Sequence, residues 1–169
     1  MGRSSQKLVI WGGLSGCLVD SARRVVRMED FGRGLPVPFF GDALETISTL
    51  AERGHMQVLV TVYDEASCIN RLRDLNDADM FFSEMRFGIR DKDAEFPRVL
   101  AESGFAPKNT VGITDNVSDA RAFHNCGVLP LVVPRGFDSR DRILDAMPVI
   151  PTLRVVQCLR HLFDLFELK

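Results

Sequence analysis

Apolar residues recur along this chain in two alternating rhythms. Short, nearly unbroken apolar runs occur at residues 8–11, 56–60, 80–82, 110–113 and 129–133. Runs of that length, bounded by Gly and polar turn residues, predict strands buried on both faces. Between them the apolar positions return every three or four residues, the spacing of one helix face. Leu44, Ile47 and Leu50 follow Asp42, which is placed to cap a helix that Gly54 ends. Further helical stretches are predicted near residues 65–75, around Phe96 and Leu100 up to Gly104, from 115 through Phe123 to Gly127, and over 140–147. The last stretch, 153–168, carries Val156, Leu159, Leu162, Phe163 and Phe166 on one face and predicts a final amphipathic helix.

Strands that alternate with helices specify an α/β fold, doubly wound, in which a central parallel sheet lies between two helical layers of a three-layer sandwich. No repeat or low-complexity linker interrupts the alternation, so residues 1–169 are expected to form a single domain. Residues 20–40 alone fit neither rhythm, because Gly32, Gly34, Pro36 and Pro38 break any period. A flap or loop is expected there.

Composition narrows the function classes. A chain of 169 residues that is 46% hydrophobic can bury a proper core. Its 21 basic and 23 acidic residues are spread along the whole length and give a net charge of −2, so no basic footprint for nucleic acid appears. Cys17, Cys68, Cys126 and Cys158 are far apart and lack the paired spacing of zinc sites or redox dithiols. Reduced thiols, the absence of a signal-like apolar stretch in MGRSSQK and strand-sized apolar runs together predict a cytoplasmic protein with no membrane segment.

In a parallel sheet of this kind, chemistry gathers where the strands end at their C-terminal edge. The first strand opens into Gly12, Gly13, Leu14, Ser15, Gly16 and Cys17, the second ends at Thr61, Arg90 and Lys92 lie ahead of a helix, and the fourth opens into TDNVSD with Asp115 and Asp119. This order and spacing resembles the haloacid dehalogenase superfamily of aspartate-nucleophile phosphatases over nearly the full length. In that family the first strand ends in Asp-x-Asp-Gly-Thr, the second in Ser or Thr, a Lys precedes a later helix, and a Gly-Asp-x-x-x-Asp motif follows. The resemblance aligns Gly13 with the nucleophilic Asp, Ser15 with the acid/base Asp, Gly16 with the motif Gly and Cys17 with the Thr. It aligns Thr61 with the second motif, Arg90 or Lys92 with the Lys, and Asp115 and Asp119 with the last motif. Too few residues follow the first strand, or follow Thr61, to form a full cap domain, so the resemblance is to the small capless members.

The departures fall on the groups that perform the chemistry. A glycine has no side chain with which to attack phosphorus, and an ordinary serine hydroxyl is a poor proton donor and acceptor near neutral pH. No register recruits a replacement, since no Asp or Glu precedes Asp20. Magnesium is usually held by one or two carboxylates with phosphate and water. Asp115, supported by Asp119, is the main carboxylate left for it, so Mg²⁺ binding is expected to be weak and no other cofactor is implied. The Gly-rich turn, the hydroxyls of Ser15 and Thr61, the backbone of Gly16 and a cation from Arg90 or Lys92 could still cradle a phosphate-like anion. TDNVSD also reads as a helix start, with Ser118 or Asp115 as cap.

Two functions follow as expectations. The first is a catalytically degenerate phosphatase-fold protein that works as a non-enzymatic binding, regulatory or assembly module, with another protein or a second copy of the chain as partner. The second is a hydrolase that acts on a phosphorylated substrate by a non-standard route, through Ser15, Cys17 or Thr61 or through water activated by Asp115. The phenylalanines are mostly expected in the core, with FFSEMRF at residues 81–87 as the candidate interaction segment. His55, His124 and His161 stand singly and are expected to be surface or hydrogen-bonded residues.

Overall fold

A computed structural model describes residues 6–20, 39–136 and 138–165. Its centre is a six-stranded sheet in which every neighbouring pair is parallel, in the order β3-β2-β1-β4-β5-β6. The strands are β1 (Leu8–Trp11), β2 (Met56–Val60), β3 (Glu84–Arg86), β4 (Thr110–Thr114), β5 (Leu129–Val132) and β6 (Arg154–Val155). The helices between them are α1 (Ala43–Glu52), α2 (Glu65–Asp74), α3 (Lys92–Ser103), α4 (Val117–Asn125), α5 (Arg140–Ala146) and α6 (His161–Leu165). The order reverses between β2 and β4, on either side of the central β1. That reversal is the switch point at which doubly wound folds place their sites.

Alternation along β1 builds the layers. Val9 and Trp11 point into a cluster with Ile47 and Leu50 of α1, Cys68 and Leu72 of α2, and Leu159 and Leu162 near the C-terminus. Leu8 and Ile10 point the other way, onto Phe96 and Val99 of α3 and Phe123 of α4. All four β1 residues are buried, as a central parallel strand requires. The buried amide of Gln57 on β2 serves this packing, accepting from Trp11 Nε1 at 3.1 Å and donating to the Ile47 carbonyl at 2.8 Å.

Three local expectations are corrected. The apolar residues 80–82 are not a strand: Ala78–Phe81 is a 3₁₀ turn, and the strand is the charged Glu84–Arg86 that follows. A strand on the sheet edge has no second neighbour to bury it, and its three residues are only partly buried, which removes the apolar signature. Residues 153–168 do not form one helix either, because Arg154 and Val155 pair with Leu131 and Val132 and the short α6 follows. Asp42 stands at the start of α1 without capping it. Its carboxylate is drawn instead to Arg135 and to the Leu159 amide.

The stretch expected to be a flap lies outside the described residues except at its ends. There Val19 bridges Phe39 antiparallel, and the Phe40 amide donates to the Leu18 carbonyl at 2.9 Å. No cap domain and no helix long and apolar enough to cross a membrane occur among the described residues. In FFSEMRF, Phe81, Phe82, Met85 and Phe87 pack on the main core, while neighbouring Met80 is 73% exposed.

Candidate functional site at the C-terminal edge of the sheet

The turn after β1 is held by its backbone. The Gly12 amide donates to the Ile113 carbonyl on β4 at 2.7 Å, and the Leu18 and Val19 amides both return to the Leu14 carbonyl. Gly16 adopts φ +74°, the left-handed region that glycine enters without penalty. A Cβ on Gly16 would stand 1.9 Å from Asp115 Oδ2, and one on Gly136 would stand 2.0 Å from it. Asp115, 6% exposed, is thus wedged between two glycine backbones, and its Oδ1 accepts from Asn116 Nδ2 at 3.3 Å.

Asp119 faces the same space from the first turn of α4. Its Oδ2 accepts from Lys92 Nζ at 2.5 Å, Asn116 Nδ2 at 3.1 Å and Thr114 Oγ1 at 3.3 Å. Lys92, at the start of α3, also donates to the Gly12 carbonyl. The ammonium therefore bridges the turn after β1 and the loop after β4, and two of its three donors are committed inside the protein. Arg90 is exposed and forms no ion pair among the described residues, so Lys92 takes the place that the sequence left open between the two.

Thr61 is 1% exposed at the end of β2, and its hydroxyl accepts from the Tyr63 amide at 3.3 Å. Tyr63 carries no motif signal, yet its hydroxyl hydrogen-bonds Ser15. Burial raises its pKa, with Asp115 adding to the shift and the Ser15 bond opposing it. Cys17 is fully buried, and burial with Asp115 nearby pushes its thiol well above the usual range. A thiol in that state stays protonated, which weighs against Cys17 as a nucleophile.

Three other contributors escaped the sequence reading. Asn116, rather than Ser118 or Asp115, caps α4 by accepting from the Asp119 amide at 2.8 Å. Asp138, only 5% exposed, accepts from the Val117 amide at 2.7 Å. Arg135 donates to both Asp42 oxygens at 2.8 and 3.0 Å and to the Cys17 carbonyl at 2.8 Å, and its guanidinium lies 3.7 Å over the Phe40 ring. An Asn three residues before Asp119 is a readable cap pattern. Nothing local joins Arg135 to Cys17.

Among known structures, one described as a predicted phosphoglycolate phosphatase from Haemophilus somnus superposes with a TM-score of 0.77 at 17% identity, covering 98% of this chain and 99% of its own. A haloacid dehalogenase-like family hydrolase from Streptococcus pneumoniae gives 0.72 at 14% identity, over 96% and 99%. The fold is that of the haloacid dehalogenase-like phosphatases. The cobalt-bound deoxy-D-mannose-octulosonate 8-phosphate phosphatase from Haemophilus influenzae gives 0.68 at 17% identity, over 97% of this chain and 88% of that one. No protein-family model matches the chain, and no curated protein matches it.

The Mg²⁺ that the fold implies does not fit this donor set. Among the described residues no three His, Cys, Asp or Glu side chains converge as a metal site. The Asp119 oxygen is taken by Lys92, and Asp115 Oδ2 is wedged between Gly16 and Gly136. Gly13 brings no carboxylate to the space in front of them, although a Cβ there would meet only the Ser15 carbonyl at 3.7 Å.

Proposed function

We propose that this chain is a member of the haloacid dehalogenase-like superfamily whose catalytic centre is degenerate, and that it serves as a non-enzymatic binding, regulatory or assembly module with another protein as its partner. The observation that carries this reading is the turn after β1, which brings no carboxylate to the space in front of Asp115 and Asp119. A phosphate-transfer site of the aspartate-nucleophile kind needs a nucleophilic side chain and a proton donor beside it. Here Gly13 and Ser15 occupy those two places by the motif alignment, and the ammonium is balanced by a carboxylate of the same chain. Cys17 offers no substitute route, since its buried thiol is not activated.

The test is turnover. The purified protein, given Mg²⁺ and a broad panel of phosphomonoesters, is expected to release phosphate no faster than its Asp115→Asn variant. A robust rate that falls in the variant would establish the hydrolase reading instead.

A further inference from the structure

The end of the sheet opposite the Gly-rich turn holds a cavity of about 130 Å³, where β1, β4 and β5 begin. β4 alone spans roughly 15 Å at about 3.3 Å per residue, so this cavity and the strand-end cluster are separate places. Its apolar lining comes from Pro107, Val111, Leu129 and Leu131. Val111 and Leu129 are partners across the β4–β5 ladder, and Leu131 follows on the same face of β5. Leu129 is 36% exposed: it pairs with β4 on one side, while β6 pairs only with Leu131 and Val132 and does not reach it. A strand that starts with an uncovered leucine leaves apolar surface for a ligand to bury.

The remaining lining is cationic. Lys7 and Lys108 both border the cavity. Neither forms an ion pair with a carboxylate among the described residues. Thr110 adds a hydroxyl whose proton is already given to the Ala106 carbonyl at 3.1 Å, leaving its oxygen as an acceptor. Two ammonium groups beside an apolar floor match a ligand with one anionic end and one short apolar body. The volume is close to the ~150 Å³ of an apolar cavity that accepts benzene.

We infer that this cavity is a binding site for a small amphiphilic anion, a carboxylate or phosphate ester on an apolar body of about six carbons. The apolar body lies against the exposed Pro107 and Leu129, behind which Val111 and Leu131 are buried, and the anionic group meets Lys7 and Lys108. The site does not depend on the degenerate centre, so it stands or falls apart from the function proposed above.

Amide chemical-shift titration of the full chain decides the matter, with hexanoate, hexyl phosphate, 1-hexanol and inorganic phosphate as probes. Hexanoate or hexyl phosphate is expected to give saturable shifts centred on Val111, Gly127, Leu129 and Leu131, and whichever binds tighter identifies the anionic group. Hexanol, which keeps the apolar body and lacks the charge, is expected to bind about tenfold more weakly, as is hexanoate to the Lys7→Gln, Lys108→Gln double variant, since partly exposed charges contribute modestly each. Inorganic phosphate alone is expected to give no saturable shift there. The inference is overturned if neither amphiphile saturates these amides, if hexanol binds as tightly as hexanoate, if the double variant binds unchanged, or if phosphate alone reproduces the shifts.

Discussion

The turn after β1 and the loop after β4 leave adjacent strands at the same edge of the sheet, yet they bring opposite chemistry to the space between them. Residues 12–17 offer backbone groups, one hydroxyl and a sealed thiol, and no charge. Residues 114–119 bring two buried carboxylates, each held by neighbours that fix its position. The two loops are nonetheless one unit, because Lys92 joins the carbonyl of one to the carboxylate of the other. A chain that lacks carboxylates on one side has to balance those on the other, and the lysine does so from within the fold. The ion pair thus ties the two loops together whatever the site does.

Removing Lys92 is the strongest way to break this arrangement. In Lys92→Met, Asp119 stays 7% exposed with no cation beside it, and the Gly12 carbonyl loses its donor. Deleting one partner of a buried pair typically costs about 3–5 kcal/mol. A loss near 3 kcal/mol is expected in the urea unfolding free energy, with most of it recovered in the Lys92→Met, Asp119→Asn double variant. A loss under about 1 kcal/mol would mean that the ammonium is only loosely held and available to a ligand, and the two loops would then have to be considered separately.

The same contrast marks how far the sequence could be read. Strands β1, β2, β4 and β5 were visible because central parallel strands are apolar without a break, and Gly54, Gly104 and Gly127 marked the helix ends with positive φ. The edges were not visible. Glu84–Arg86 is a strand whose Arg86 is neutralised by Glu84, Glu95 and Glu102, so its charges hid a role that only pairing with β2 defines. Residues 153–165 supply Val156, Leu159 and Leu162 to the core at a spacing that suits a helix, although only Leu162 lies on one and the other two sit in the connection between the edge strand and that short helix. At the site, Thr61, Asp115 and Asp119 could be placed from their positions at strand ends and a helix start, while the cation stayed open between Arg90 and Lys92. Tyr63 meeting Ser15, and Arg135 meeting both Cys17 and Asp42, are contacts between distant parts of the chain that no local pattern encodes.

A smaller effect, still large for one methyl group, is expected at Gly16. Gly16→Ala places a Cβ in the left-handed region and against the Asp115 carboxylate, which Gly136 blocks from behind. Backbone strain of about 1–2 kcal/mol and a comparable packing penalty should lower stability by about 2–4 kcal/mol. Because the clash is with one side chain, adding Asp115→Ala removes the atoms at 1.9 and 2.4 Å and should return most of the packing part, leaving the Cβ contact at 2.8 Å and the backbone part. If the double variant is no more stable than Gly16→Ala alone, Asp115 is not what the glycine accommodates.

The smallest change in stability, and the sharpest question about the turn after β1, belongs to Gly13. A side chain there has room, with only the Ser15 carbonyl at 3.7 Å, and Gly13 is not among the glycines with positive φ. Gly13→Asp is therefore expected to change unfolding free energy by less than about 1 kcal/mol, in contrast to Gly16→Ala three residues on. Together with Ser15→Asp it would give the uncharged turn two carboxylates opposite Asp115, and Mg²⁺ is ordinarily held by one or two. Calorimetry is expected to detect Mg²⁺ binding in the double variant and none in the parent chain. A double variant that folds but takes up no metal would show that Gly13 and Ser15 do not face Asp115 as their alignment with the family motif requires. The missing carboxylates would then be a change in the course of the turn and not only in its side chains, and Gly12, whose carbonyl Lys92 holds, would be the place to look for its cause.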